Sequence, residues 1–207
     1  MKISSADKRI LRELGRAKAE VASEAVNAER RELWTRLNDL DAVRPMVWVF
    51  EIPWNEMDTD GELTLRCRDP FCRRWEQALR QDLYQWKHMP ADMVMDGVIR
   101  VPPVLRDANP PLAERVDVAR TDPTSAVLSR HFQIQIRDEG DIEKIPMPEL
   151  TLDREAWDRN FDALSGIFDG VIAVERTGIQ GTSVAPWDQL VRLTGVDEIL
   201  TDLRERP

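Results

Sequence analysis

Two carboxylates lie in predicted strands of a parallel sheet, where catalytic residues are often found. Glu51 lies near the end of the apolar run 46–52, and Asp96 lies inside a second apolar run. Active sites of parallel α/β folds lie at the carboxyl ends of the strands, where a carboxylate can act as acid, base or hydrogen-bond acceptor. We therefore predict Glu51 and Asp96 as catalytic residues. The alternative for Glu51 is an ion pair with an arginine such as Arg44 or Arg100, and a carboxylate inside an apolar strand is costly unless it is paired.

Four further side chains near predicted strand ends could bind a small-molecule substrate. Glu175 and Arg176 end a third apolar run, although adjacent opposite charges could simply neutralise each other. Trp54 and Trp187 flank predicted strand ends or loops and could form the walls of a pocket. Core packing is the alternative for both rings. We predict all four as substrate-binding residues.

The soft metal ligands of the chain fit no metal site. Cys67 and Cys72 are separated by four residues, and His88 and His131 are far apart in the sequence. This spacing matches no zinc pattern, and two cysteines without an export signal indicate reduced thiols. We therefore predict no metal ligands and no cofactor bound by this chain alone. No serine–histidine–aspartate or cysteine–histidine arrangement is readable.

The composition excludes several classes of function. The chain has 207 residues, a formal net charge of -9 and 42% hydrophobic residues. An acidic chain lacks the basic surface that nucleic acids and anionic membranes attract, so neither partner is expected. No apolar stretch approaches the length of a membrane span, and the first 20 residues lack the apolar core of a signal peptide. We predict a soluble, cytoplasmic protein.

The periodicity of apolar residues indicates an α/β fold. Residues 4–40 carry helical stripes and predict an N-terminal helical arm, with Ser4 and Asp7 as its start signal. Asp69 followed by Pro70 predicts the start of a further helix. Near-continuous apolar runs predict three parallel core strands near 46–52, 93–100 and 170–175, each followed by a helix. Alternating apolar and polar residues predict an antiparallel β insertion between 113 and 137.

Several motifs resemble those of the uroporphyrinogen decarboxylase-like superfamily, in particular its branch of corrinoid-linked methyltransferases. The resemblance extends from about residue 30 to the end of the sequence. The matching segments are Glu32-Leu33-Trp34, Leu37-Asn38-Asp39-Leu40, Arg44-Pro45-Met46-Val47-Trp48, Glu51-Ile52-Pro53-Trp54, Asp69-Pro70-Phe71-Cys72-Arg73, Tyr84-Gln85-Trp86-Lys87-His88-Met89-Pro90, Ser129-Arg130-His131-Phe132, Ala185-Pro186-Trp187-Asp188 and Leu190-Val191-Arg192. The resemblance implies a TIM-type barrel of about twice this length, which has eight strands.

The resemblance also implies methyl transfer or demethylation linked to a corrinoid carrier, with zinc held by the C-terminal half of the complete family enzyme. The true decarboxylases carry an arginine- and glycine-rich motif after the first strand, whereas this chain has 51–54, Glu-Ile-Pro-Trp. A carboxylate there repels porphyrinogen carboxylates, which argues against porphyrinogen decarboxylation. The decarboxylases have an aspartate near the end of the second strand, and Asp96 resembles it by strand position only.

These expectations combine into one hypothesis about the chain. We expect an N-terminal helical arm over 1–44 and the N-terminal half of a partial TIM-type (β/α) barrel over 45–207. The expected partners are the missing C-terminal half or a corrinoid protein, and the chain could also form an oligomer. The chain alone is expected to show no turnover. The alternative is a non-catalytic α/β binding or assembly module derived from the same fold.

Overall fold

Helices and short strands alternate along the chain in a computed structural model that describes residues 3–58, 60–109, 112–119, 128–179 and 186–205. The mixture of elements agrees with the predicted α/β class. The chain divides into two compact units. Unit 1 comprises Met1–Pro102 and Glu155–Thr177, and unit 2 comprises Pro103–Arg154 and Gly178–Pro207.

The helices and strands have the following bounds in chain order. The helices are Ser5–Ala22 (α1), Ala25–Asn38 (α2), Trp54–Met57 (α3), Pro70–His88 (α4), Arg154–Phe168 (α5), Pro186–Thr194 (α6) and Val196–Glu205 (α7), with a 3₁₀ helix over Glu139–Lys144. The strands are Val98–Val101 (β1), Leu105–Asp107 (β2), Val116–Ala119 (β3), Ser129–Phe132 (β4), Leu150–Leu152 (β5) and Ala173–Arg176 (β6). Among the described residues, none of these helices is both long and apolar enough to cross a membrane.

The two long helices α1 and α4 of unit 1 begin where their capping residues predict. Ser4 accepts a hydrogen bond from the Asp7 amide at 3.0 Å, which satisfies one free amide of the first turn of α1. Asp69 caps α4 in the same way, with proline at the first helical position. The helices pack on each other, and Leu11 and Leu79 lie in the shared apolar core.

The strands of unit 1 form a parallel pair, as predicted for the second and third apolar runs. β1 and β6 pair with Val98 opposite Ala173 and Val101 opposite Arg176. Both strands are shorter than the apolar runs that predicted them. Helix α5 precedes β6 and buries Phe168 completely in the core. Parallel pairing requires such a crossover because successive parallel strands cannot be joined by a tight turn.

The predicted first strand does not form. Residues 46–52 are not assigned to a strand, and the rings of Trp48 and Phe50 are 50% and 69% exposed. Side chains anchor this segment where strand pairing was expected, since Asp92 accepts a hydrogen bond from the Val47 amide and Gln85 donates one to the Val49 carbonyl. Within the described residues the parallel sheet has two strands, and no closed barrel is present.

Unit 2 contains two antiparallel strand pairs. β3 pairs with β4, with Val116 opposite Phe132, and this confirms the predicted antiparallel insertion. β2 pairs with β5, with Leu105 opposite Leu152, and this pair was not predicted. Each of these two strands has only three residues. Three residues are too few for an alternating pattern to be recognised.

The predicted helical arm lies within unit 1. Residues 1–44 contain α1 and α2, and the side chain of Leu11 is fully buried in the core cluster that also contains Ile99 and Phe168. The expected boundary between 1–44 and 45–207 therefore does not coincide with the two compact units. The stripe on α1 has an intramolecular partner, which accounts for its apolar side chains.

Candidate functional site

An open cleft of unit 1 surrounds one of the predicted catalytic residues. This cleft, called the Asp96 cleft below, has a volume of about 520 Å³. Helix α2 contributes one face to it, because residues three, four and seven positions apart on a helix lie on the same side. The lining residues are Arg31, Trp34, Thr35, Asn38, Trp48, Val94 and Asp96.

Asp96 is held as an anion between two arginines. Its Oδ2 lies 2.6 Å from Arg100 Nη1, and its Oδ1 lies 3.3 Å from Arg31 Nη2. Burial raises the pKa of Asp96, but the hydrogen bond and charge of Arg100, with a smaller contribution from Arg31, outweigh it and lower the pKa below its ordinary value. A carboxyl with a lowered pKa is a weak base at neutral pH, so this geometry favours a role in positioning arginines over proton transfer.

Asp92 anchors the Trp34 ring through its backbone carbonyl and the backbone next to Trp48 through its carboxylate. Trp34 Nε1 donates a 2.8 Å hydrogen bond to the Asp92 carbonyl. The Asp92 side chain accepts hydrogen bonds from Arg44 at 2.9 and 2.5 Å and from the Val47 amide at 2.8 Å. Because Val47 precedes Trp48, this contact also fixes the backbone that carries the second ring. The cleft is therefore organised by polar contacts to the buried Asp92.

Glu175 and Arg176 lie at the carboxyl end of β6, where the sequence predicted them. Arg176 pairs with Asp158 at 2.8 Å, and its guanidinium carbon lies 4.0 Å from the centre of the Phe161 ring. Glu175 is exposed and stands opposite Arg100 in the strand register. Arg176 therefore already covers an aromatic face of α5, whereas Glu175 faces open solvent.

Glu51 and Trp54 do not lie at a strand end, because the strand predicted before them is absent. Glu51 is exposed and has a left-handed backbone with φ of 59°. Trp54 begins the short helix α3 and packs edge-on against Tyr84, with ring centres 6.1 Å apart. The positive φ of Glu51 turns the chain out of the extended conformation that a continuing strand would need.

The predicted site residues do not share one end of the strand pair. Asp96 precedes β1, whereas Glu175 and Arg176 end β6. Glu175 stands opposite Arg100, which follows Asp96 by four residues. Along an extended chain, Asp96 therefore lies about 13 Å from the position that pairs with Glu175. Trp187 lies in unit 2, where its ring is 48% exposed on α6. The expectation that all of these residues gather on one rim is therefore wrong for Asp96.

Sequence reasoning missed a cluster at the end of α4. The rings of Tyr84 and His88 lie 4.2 Å apart, and Glu62 Oε1 lies 3.0 Å from His88 Nε2 and 2.9 Å from Lys87 Nζ. The hydrogen bond and charge of Lys87, and then those of His88, lower the pKa of Glu62 against the effect of burial. The spacing of Tyr84 and His88, four residues apart on a predicted helix, was the available signal.

The two cysteines are poor candidates for the zinc that the family resemblance implies. Cys67 and Cys72 are buried, and burial, followed by the nearby carboxylates, raises the pKa of both thiols to about 12. A metal ligand must be the thiolate, which such an environment disfavours. Across the described ranges no three His, Cys, Asp or Glu side chains are placed to hold a metal ion. The described residues therefore do not fit a zinc site.

Comparison with protein families, curated proteins and solved structures found no match to this chain. A functional assignment therefore depends on the residues and contacts of the chain itself. Two regions of unit 1 carry the candidate chemistry: the Asp96 cleft before β1, and the carboxyl end of the strand pair with Glu175 and Arg176.

Proposed function

We propose that this chain is the N-terminal portion of a uroporphyrinogen decarboxylase-like enzyme that catalyses methyl transfer or demethylation linked to a corrinoid carrier. The observation that carries the proposal is the parallel pairing of β1 with β6 through a crossover that contains helix α5, one face of which is buried in the core. Strand, helix and parallel strand is the repeating unit of (β/α) barrels. The sequence motifs that resemble those of this superfamily supply the link to it.

The carboxyl end of the strand pair is the proposed catalytic side. The Val101 carbonyl accepts hydrogen bonds from Trp157 Nε1 at 3.1 Å and from the Thr177 amide at 3.1 Å, so the chain is ordered where the two strands end. Glu175 remains exposed there and is available to a substrate. Two strands cannot enclose a substrate or exclude water, and preorganised, water-free surroundings supply much of the rate enhancement of enzymes. Turnover therefore requires further strands.

The segment 46–50 supports the need for a further polypeptide. It is not assigned to a strand, and Val47, Trp48 and Phe50 are each at least half exposed. Contiguous exposed apolar side chains of this size usually mark an interaction surface. In the proposed enzyme this segment is the strand that forms when the missing C-terminal half is present. A corrinoid, when bound to its carrier protein, would supply the methyl group.

The proposal is tested by reconstitution. The purified chain is assayed for methyl transfer from methylcobalamin to a thiol, with and without a candidate C-terminal half. We expect no turnover by the chain alone and turnover when the second half is added. Glu51→Gln and Glu175→Gln should lower the restored rate, whereas Glu13→Gln on the exposed side of α1 should not. Turnover by the chain alone would contradict the proposal.

A second candidate is a non-catalytic α/β binding or assembly module. The position of Asp96 favours it, because this ionised and doubly paired carboxylate lies away from the end of the strands where catalysis is expected. The reconstitution assay distinguishes the two candidates. A chain that unfolds cooperatively as a stable monomer, and that no C-terminal half activates, would support the module and contradict the enzyme.

A further inference from the structure

The Asp96 cleft has no role in the proposed methyl transfer. It lies before β1, at the opposite end of the strand pair from Glu175 and Arg176. We propose that this cleft is a separate binding site for a planar aromatic ligand that carries a carboxylate. The site consists of residues of unit 1 alone, so it is present in this chain by itself, and its test does not use the proposed catalytic activity.

The charges of the cleft favour an anion. Two guanidinium groups pair with the single carboxylate of Asp96: that of Arg31 lines the cleft, and that of Arg100 lies outside its lining. Arg100 takes the shorter contact at 2.6 Å, whereas Arg31 lies at 3.3 Å with 56% of its side chain exposed. Asp96 is therefore satisfied mainly by Arg100, and Arg31 retains donors that can turn to a ligand. A guanidinium binds a carboxylate through paired hydrogen bonds, which matches this ligand class.

The walls of the cleft favour a flat ligand. Trp34 and Trp48 line it together with Val94. Trp34 is fixed through its indole nitrogen, and the backbone at Trp48 is fixed through the Val47 amide. An aromatic side chain held in place, as Trp34 is, can stack on a planar ring at little further cost in entropy. The volume of about 520 Å³ lies in the range of small-molecule sites.

One polar group of the cleft has no partner within the described part of the chain. The side-chain amide of Asn38, exposed at the end of α2, makes no hydrogen bond there, whereas Thr35 already donates to the Arg31 carbonyl at 2.9 Å. Asn38 is therefore a donor or acceptor for a polar substituent of the ligand. A cationic ligand fits less well, because it would meet the Arg31 guanidinium and a carboxylate that Arg100 and Arg31 already neutralise.

The experiment uses 2-naphthoate as the probe and isothermal titration calorimetry of the full chain as the measurement. We expect saturable binding of one equivalent of 2-naphthoate. Uncharged 2-naphthamide, which has the same ring, should bind at least about fivefold more weakly because it cannot form the charge-assisted contact with Arg31. Equal binding of the two compounds, or no saturable binding of 2-naphthoate, would overturn the proposal.

Two variants change the affinity in opposite directions, which separates the proposal from a loss of folding. Arg31→Gln should raise the Kd for 2-naphthoate about tenfold, since it removes one charge-assisted contact. Asp96→Asn should lower the Kd about threefold, because it frees Arg31 from the competing carboxylate. Arg36→Gln is the matched control, because this arginine lies on the same helix but pairs with Asp41 outside the cleft. An unchanged Kd in Arg31→Gln, or a weaker affinity in Asp96→Asn, would overturn the assignment.

Discussion

Glu76 is a fully buried carboxylate whose role is structural. Its oxygens accept hydrogen bonds from the Arg66 amide at 2.9 and 3.0 Å, the Cys67 amide at 2.7 Å and Arg80 Nε at 2.8 Å. Burial raises its pKa, but these donors lower it by more, so the group is held ionised. A buried charge is tolerated only when paired in this way. Glu76 therefore fixes the segment that leads into α4.

Glu76→Gln should lower the free energy of unfolding by about 2–4 kcal/mol. The substitution replaces one carboxylate oxygen by an NH2 group, which cannot accept the hydrogen bonds that the neighbouring amides and Arg80 donate. Urea denaturation followed by circular dichroism measures this loss. Glu13→Gln is the control, since Glu13 is exposed and lies 4.0 Å from Arg9, and it should change stability by less than about 0.5 kcal/mol. Similar stabilities of the two variants would contradict the structural role of Glu76.

Protonation of Asp92 makes the stability of the folded chain depend on pH in the acidic range. The hydrogen bond from Arg44, followed by that from the Val47 amide, lowers the pKa of Asp92 to about 2 in the folded chain. The group binds its proton more readily in the unfolded chain, with a pKa of about 3.9. Its contribution to stability is therefore complete above pH 4 and is lost as the pH falls through about 2.

The stability difference between the parent chain and Asp92→Asn should consequently shrink as the pH falls from about 4 to about 2. Urea denaturation across this interval gives the difference directly. In an Arg44→Gln background the pH range over which this stability difference shrinks should move up toward the ordinary pKa of an aspartate, because the main cause of the lowered pKa is removed. A stability difference that stays constant down to pH 2 in the parent would show that Asp92 is not linked to folding in this way.

Helix α1 contacts α5 closely at one glycine. A Cβ atom on Gly15 would lie 2.8 and 2.9 Å from two ring carbons of Phe168 and 3.3 Å from Val171. Phe168 is fully buried and cannot move away without disturbing the core. The close approach of these two elements therefore depends on the missing side chain, and it makes the N-terminal helix part of the body of unit 1.

Gly15→Ala should lower the free energy of unfolding by about 1–3 kcal/mol, although alanine favours a helix by about 1 kcal/mol over glycine. Gly166→Ala is the matched control within α5, since a Cβ there meets nothing within 4 Å. That variant should be neutral or more stable by up to about 1 kcal/mol. Thermal and urea denaturation distinguish the two, and a stable Gly15→Ala chain would mean that α1 does not pack against Phe168 as described.

At the scale of the whole molecule, the apolar surface along 46–50 predicts self-association. Phe50 is 69% exposed, and its neighbours Trp48 and Val47 are 50% and 53% exposed. An extended apolar segment without a strand partner tends to pair with another chain. Sedimentation velocity over a range of concentrations should show assemblies that grow with concentration. Phe50→Ser should reduce them, and Phe50→Tyr, which keeps the ring, should not. A chain that stays monomeric at all concentrations would contradict this expectation.

The local signals of the sequence were sufficient where a few neighbouring residues decide the structure. Ser4 with Asp7 predicted the start of α1, and Asp69 followed by proline predicted the start of α4. Helix capping depends on atoms within one turn of the chain, so neighbouring residues are enough to predict it. The alternation near Val116 and Phe132 likewise predicted an antiparallel pair, because one face of each strand is apolar.

The tertiary structure decided which segments found partners and where the candidate site residues came to lie. An apolar run such as 46–52 has the composition of a buried strand, but a strand forms only when another strand supplies its hydrogen bonds, and here Asp92 and Gln85 hold the segment instead. The sequence by itself predicted an α/β chain with three parallel strands, of which two form a pair, and an antiparallel insertion, which is present. The register of β1 with β6, which separates Asp96 from Glu175, and the two arginines that hold Asp96 ionised depend on contacts between distant segments, which no local pattern records.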